Sequence, residues 1–224
     1  SAPTALRIVH DAGGVVVVDK PAGLPFHADG AFIRRTVVGV LAERLGPGLR
    51  PVQRLDRETS GLCVLARDRR SARLLHEQIA ARGPFDKTYL ALVRGRFTGE
   101  HREIDAAIGR DPDSRISIRR AVVARSRPDA ADALTALRCI ARGEDATLLE
   151  CRPRTGRTHQ IRVHLEHVGH PLVGDRLYGR RDDDFLAFVR GQARFETLDA
   201  LLEQMSRDVQ RCRELIAAAR PPQA

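Results

Sequence analysis

Three short segments hold most of the residues able to do chemistry. The first is Gln53-Arg54-Leu55-Asp56-Arg57-Glu58-Thr59-Ser60-Gly61, in which a carboxylate stands between two arginines and is followed by two hydroxyls and a glycine. Two readings fit it. A surface turn would carry these charges as ordinary exposed ion pairs, each worth about 0–1 kcal/mol. Alternatively, the flanking positive charge holds Asp56 ionised, and an ionised carboxylate serves as nucleophile or base. The second segment, Arg152 to Leu165, reads RPRTGRTHQIRVHL. A Thr-Gly turn running into a helix offers backbone N–H groups and arginines to phosphate, with His159, Gln160 and Arg162 early in the helix where polar groups can face a ligand. His159, His164, His167 and His170 lie close together, but the order is not HExxH and the flanking arginines repel a divalent cation, so no metal site is expected. The third segment, Phe85 to Val93, reads FDKTYLALV. Tyr89 is there either as a core aromatic of a strand or as a group that stacks on a base and handles protons. The only lysines, Lys20 and Lys87, both fall in turn-and-strand segments of a chain with 38 basic residues, which suggests that these positions want an ammonium rather than a guanidinium.

The elements that must position these segments are legible from periodicity. Residues 6–9 and 15–18 read as a hairpin around Asp11-Ala12-Gly13-Gly14, and Pro21 and Gly23 break the strand that Lys20 ends. Residues 36–45 start at a Thr cap and space Val37, Val40, Leu41 and Leu45 as a helix, which Gly46-Pro47-Gly48 stops. Leu62–Ala66 reads as a short buried strand, 71–81 as a helix from Ser71, and 88–93 as a strand. Residues 104–128 mix Arg and Asp with β-branched residues, and a mobile or edge β-region is expected. A hairpin over 133–140 and 146–151 turns at Gly143-Glu144-Asp145, and a helix follows from about 158 to 168. Beyond 184 an apolar stripe of Leu198, Leu201, Leu202, Met205, Val209, Leu215 and Ile216 predicts helix. Many strands with few helices between them predict an α+β fold.

A chain of 224 residues suits one sizeable domain or two small ones and can bury a core unaided. Its apolar runs, Val15–Val18 among them, are far short of the roughly 20 residues of a membrane helix, and residues 1–14 lack the layout of a secretory signal. Cys63, Cys139, Cys151 and Cys212 are scattered without a CxxC pair, which fits a reducing, cytoplasmic setting. There is no P-loop, GxGxxG or GxSxG string. The charge is +9, and residues 1–181 carry 32 basic against 21 acidic side chains while 182–224 carry six against eight. A general preference for arginine does not explain that asymmetry, so a polyanionic partner, RNA above all, is expected on the first part. Aromatics at 4% argue against a broad base-stacking platform.

Taken together, VVVVDKPAGLPFH (15–27), RLDRETSGLCVLARD (54–68), KTYLALVRG (87–95), IGRDP (108–112) and RTGRTHQIRVHLEHVGHPLVGDRLYG (154–179) resemble the RluA-like pseudouridine synthases, in family order and over about residues 6–180. The resemblance implies a bent, largely antiparallel sheet with flanking helices, and isomerisation of uridine to pseudouridine in ribosomal or transfer RNA without a cofactor. It assigns Asp56 as the catalytic carboxylate, Tyr89 as the active-site tyrosine and Arg162 as the arginine pairing with the aspartate. It also gives substrate contacts at Arg54, Arg57, Lys87, Arg157, His159 and Gln160, with Leu172 lining the uracil pocket. The expected layout is a catalytic domain over 1–181 and a helical extension over 182–224 packed on it, in a cytoplasmic monomer with RNA as partner and no metal or membrane. The sequence departs from the family in three places: Gln53 stands where many members have His, no small RNA-binding domain is expected before the synthase region, and the segment after Gly179 reads as acidic helix where the family continues with strands.

Overall fold

The run VVVVDK alternates strictly between half-buried and buried positions, so Val16, Val18 and Lys20 share the inner face of one strand. That strand, β2 (Val15–Lys20), pairs antiparallel with β1 (Arg7–Ala12) through a two-residue turn whose glycines, Gly13 and Gly14, have φ of 60° and 79°. The computed structural model describes residues 6–27, 36–80, 87–180 and 182, and divides the chain into two units, 1–86 and 87–224. The described residues form an α+β arrangement with three helices, and every strand pairing is antiparallel.

In the first unit, β3 (Arg50–Pro51) and β4 (Gly61–Ala66) complete a sheet of order β1-β2-β4-β3. Cys63 to Ala66 are all buried, as a strand covered on both faces requires, which is why this stretch is continuously apolar. Helix α1 (Val37–Leu45) is capped by Thr36, whose Oγ1 accepts the Gly39 N–H at 3.0 Å. Helix α2 (Arg69–Ala80) begins two residues before the predicted start. Asp68, not Ser71, is the cap, its Oδ1 accepting the Ser71 N–H at 2.8 Å. Leu75 and Ile79 of α2 pack against a core of Val52, Val64, Ala66 and Ala72.

In the second unit, β5 (Tyr89–Arg94), β6 (His101–Asp105), β9 (Leu134–Arg142) and β10 (Ala146–Pro153) form a sheet of order β5-β10-β9-β6, and β7 (Ile108–Arg110) pairs with β8 (Arg120–Val122). The predicted hairpin at Gly143-Glu144-Asp145 is the β9–β10 turn, with longer strands than expected. Helix α3 (Gln160–His167) places Leu165 in the sheet's core with Val93, Leu137 and Leu149, and Val163 in a second cluster with Ile108, Leu177 and Tyr178. The segment 104–128 contributes edge strand β6 and the β7–β8 ribbon. Its charges are fastened by pairing: Arg119 reaches Asp111 at 3.0 Å, Glu166 at 2.9 Å and Asp182 at 3.4 Å. The predicted C-terminal helix over 184–219 lies outside the described residues.

Candidate active site

The inward position of Lys20 on β2 decides the geometry of the Asp56 loop. A buried ammonium needs its three donors satisfied, and Lys20 Nζ donates to the carbonyls of Pro21, Leu24 and Arg57, each at 2.9 Å. The Arg57 carbonyl also accepts the Gly23 N–H at 2.8 Å, and Arg57 Nε returns a bond to the Gly23 carbonyl at 3.3 Å. The turn after β2 and the residue next to Asp56 are thereby fastened together. Buried Leu55 anchors the other side of Asp56, and the Thr59 N–H closes a turn on the Asp56 carbonyl at 3.1 Å. Asp56 itself is half-buried, with Arg54 and Arg57 exposed on either side. Burial pulls the Lys20 ammonium down to about 8, against the countervailing Cys63, Glu58 and Asp56. Cys63 behind the loop is pushed up to about 11, chiefly by burial, so it stays a thiol near neutral pH. Gln53, which precedes the loop, holds a buried Oε1 that meets no donor.

In the second unit, Tyr89 opens β5 opposite Cys151 and packs, half-buried, on the sheet's core. Lys87 lies beside the turn at Gly156, where an added Cβ would come within 3.8 Å of its Nζ. That turn is shaped by Gln160. Its Oε1 accepts from Thr155 Oγ1 at 2.7 Å and from the Arg157 N–H at 3.0 Å, while its Nε2 donates to the Leu134 carbonyl at 3.0 Å and Thr135 Oγ1 at 2.9 Å. The amide's two acceptor and two donor positions are all used within the protein. Gln160, expected from the sequence to contact substrate, is buried here and shapes the loop. Four residues on, and on the same helix face, buried His164 completes the network. Its Nε2 lies 3.0 Å from the Ala106 carbonyl, so it carries the proton, and Nδ1 accepts from Thr135 Oγ1 at 2.9 Å. Burial lowers the His164 pKa and keeps it neutral, as that arrangement requires. Arg157 is exposed, its Nε donating to the Asp132 carbonyl at 2.9 Å.

Arg162 projects from α3 into a fork with Asp175, Nε to Oδ2 at 2.8 Å and Nη2 to Oδ1 at 3.0 Å. Asp175 is nearly buried, and its Oδ1 also accepts the N–H groups of Leu177 at 2.9 Å and Tyr178 at 3.1 Å. Burial works to raise this carboxyl. The Arg162 bonds and charge, with the two backbone N–H groups, outweigh it and hold Asp175 below the usual carboxylate range. The fork engages the Nε–Nη2 edge of the guanidinium and sets its orientation. His159, the only described non-glycine residue with positive φ (57°), sits at the start of α3 and pairs through Nδ1 with the Tyr178 hydroxyl at 2.8 Å. Leu172 bridges to Val93 at the edge of β5 and packs on the same core as Tyr89. His170 Nδ1 lies 2.9 Å from the Arg94 carbonyl.

The second unit thus brings Lys87 to the 155–157 turn and His159 and Arg162 to Tyr178. Sequence reasoning marked Lys20 as a position wanting an ammonium without giving it a place in the site, and it missed Asp175 and Tyr178 as site-building residues. The period-two alternation of β2 marks Lys20 as facing inward. Asp175 and Tyr178 stand three residues apart in GDRLY, a spacing that suits a carboxylate accepting N–H groups of its own turn.

A family model described as RNA pseudouridylate synthase matches residues 14–167, a stretch that holds both the Asp56 loop and helix α3. The chain belongs to the RNA pseudouridylate synthase family. It is 48% identical over 170 residues to a protein of Chloroflexus aurantiacus named an uncharacterized RNA pseudouridine synthase, covering 73% of this chain and 51% of that protein. It is 41% identical over 179 residues to ribosomal large subunit pseudouridine synthase D of Xanthomonas campestris pv. campestris, covering 78% of this chain and 52% of that one. The chain spans about half the length of these curated relatives. Among solved structures, human RNA pseudouridylate synthase domain containing 1 superposes with a TM-score of 0.67 at 29% identity, covering 82% of this chain and 74% of that one. A riboflavin kinase model also matches residues 141–216, a minority of the chain that overlaps the first match at β10 and α3. No helix among the described residues is long and apolar enough to cross a membrane.

Proposed function

We propose that this chain isomerises uridine to pseudouridine within RNA, ribosomal or transfer, with no cofactor and with Asp56 as its catalytic carboxylate. The observation that carries the reading is the family match over 14–167, which contains both the clamped Asp56 loop and Arg162. In the reaction the C1′–N1 bond breaks, the uracil turns, C5 bonds to C1′, and the C5 proton leaves as N1 gains one. A carboxylate serves either route to bond breaking, by attack on the sugar or by assisting loss of its 2′ hydrogen. The family resemblance gives Arg162 the role of the arginine that pairs with the catalytic carboxylate. The fork to Asp175 supports this role, because it fixes the orientation of the guanidinium. Tyr89 stacks on the uracil and stands near the departing C5 proton. Flipping the uridine out of its stack costs a few kcal/mol, which phosphate contacts from Arg54, Arg57, Lys87 and Arg157 offset. His159 and Leu172 complete the nucleotide's surroundings.

The test is Asp56→Asn assayed by tritium release from RNA labelled at uridine C5, beside a binding titration at fixed salt. Release is expected to vanish while affinity holds. Appreciable release would place the carboxylate elsewhere, and loss of affinity with no turnover in the native chain would favour a binding protein that kept the fold.

A further inference from the structure

We propose that Tyr178 is a positioning residue for Arg162, fixing the plane of its guanidinium, an inference that rests on the role given to Arg162 above. A guanidinium is a flat group on a flexible stem, and two constraints fix its orientation: one on an edge, one on a face. Asp175 supplies the edge, through the fork at 2.8 and 3.0 Å. Tyr178 supplies the face, its ring centroid lying 4.7 Å from Arg162 Cζ, within cation–π range. The two constraints are themselves joined, because Asp175 Oδ1 accepts the Tyr178 N–H at 3.1 Å. Arg162, Asp175 and Tyr178 therefore close a ring in which no member can shift alone.

Tyr178 is held for the purpose on every side. It is 1% exposed. The proton-bearing hydroxyl accepts the Arg120 N–H at 3.1 Å and pairs with His159 Nδ1 at 2.8 Å. The phenol, pushed up to about 12 chiefly by burial, retains that proton throughout the working range of pH. A second guanidinium, Arg119, lies 5.5 Å from the ring centroid and is anchored to Asp111 and Glu166. A residue that merely filled the core beside Val163 and Leu177 would need neither the polar anchors nor the cationic neighbours.

The test uses the full chain and total RNA labelled with tritium at uridine C5, drawn from cells lacking the gene. Single-turnover release and RNA affinity are measured for Tyr178→Leu, Tyr178→Phe, Arg162→Lys and the double variant Tyr178→Leu/Arg162→Lys. Tyr178→Leu is expected to slow release at least tenfold with affinity within threefold of native, and Tyr178→Phe, which restores the ring, to recover most of that loss. In the Arg162→Lys background Tyr178→Leu should cost less than a further threefold, because its effect passes through Arg162. Multiplying losses would show an independent structural role and overturn the inference. Should Tyr178→Leu not fold, the native protein still decides the matter. With 13C-labelled arginine, the Arg162 Cδ protons, assigned by their absence in Arg162→Lys and engaged in no hydrogen bond, should be shifted upfield by the ring, and random-coil positions would overturn the inference. If Arg162→Lys alone turns over like the native chain, the role of Arg162 fails first. If it is slow while Tyr178→Leu is fast, only the role of Tyr178 fails.

Discussion

Replacing Lys20 with Met should separate turnover from stability. Met fills the same volume in the inner face of β2 without charge or donors. The change withdraws a donor from three carbonyls, of which that of Arg57 keeps the Gly23 N–H. Two buried acceptors deprived of a donor cost about 2–6 kcal/mol. Against this, the native ammonium is itself disfavoured by burial: the fall from 10.5 to about 8 corresponds to about 3 kcal/mol that Met does not incur. The two effects largely cancel, and urea unfolding should show a loss of about 1–2 kcal/mol. Turnover has no such compensation, because the tie between the Arg57 peptide and the β2 turn is lost, and tritium release should fall at least tenfold, about 1.4 kcal/mol of transition-state stabilisation. The native enzyme carries a second signature. Below about 8 Lys20 is protonated in both folded and unfolded chains, and its contribution to stability has no pH slope. Between about 8 and 10.5 the unfolded chain holds a proton that the folded chain has released, so Lys20 makes the fold more stable as pH rises. Turnover should fall over the same range as the clamp loses its charge. A Lys20→Met enzyme within twofold of native turnover would refute the reasoning, as would native turnover that is flat across that window.

Three further outcomes are expected. Asp175→Asn should cost about 2–3 kcal/mol in urea unfolding at pH 7, because a nearly buried fork loses its anion and an amide N–H₂ faces a guanidinium N–H; since the native carboxyl titrates below its ordinary 3.8, its contribution is full above that value and is lost as pH falls through the lower folded one. Gln160→Glu should lower thermal stability by about 2–4 kcal/mol, because a carboxylate oxygen would face the Leu134 carbonyl and Thr135 Oγ1, which now receive an N–H. Arg54→Ala, at an exposed position, should leave the unfolding midpoint unchanged, weaken RNA binding in filter assays, and reduce the slope of log affinity against log salt by about 0.7–0.9.

Much of the fold was legible because the pattern and the burial agree. Four of the five apolar residues of β4, Cys63 to Ala66, are buried, and Thr36 caps α1 as its position before Val37 implies. What escaped was set by length or by competition between neighbours. Strand β3 has two residues and β8 three, too few for periodicity to register. At α2, Ser71 is a respectable cap in the sequence, but Asp68 outcompetes it, and Ser71 becomes the donor that Asp68 accepts. Within α3 the polar string HQIRVH conceals two faces. Gln160 and His164, four apart, turn inward with Val163, while Arg162 projects from another side toward Asp175. The sequence reading gave ligand-facing roles to His159, Gln160 and Arg162 alike. The partners that make Gln160 internal come from Leu134 and Thr135, some twenty-five residues away, and local sequence does not carry them.

The choice of lysine at position 20 shows how such internal polar residues tie function to fold. Three carbonyls at 2.9 Å surround one nitrogen, which a tetrahedral ammonium satisfies with its three N–H bonds. A guanidinium spreads its five donors in a plane around a carbon and cannot converge them on a single point. Arginine supplies 36 of the 38 basic residues, so a lysine persisting here reflects the shape of the acceptor set rather than the demand for charge. The same logic applies to Gln160, whose amide offers two acceptor and two donor positions to a cavity that presents their complements. In both units the segment carrying the reactive side chain is shaped by a neighbouring polar group turned away from solvent. Asp56 and Arg162 are thus each borne by a backbone segment that is already held.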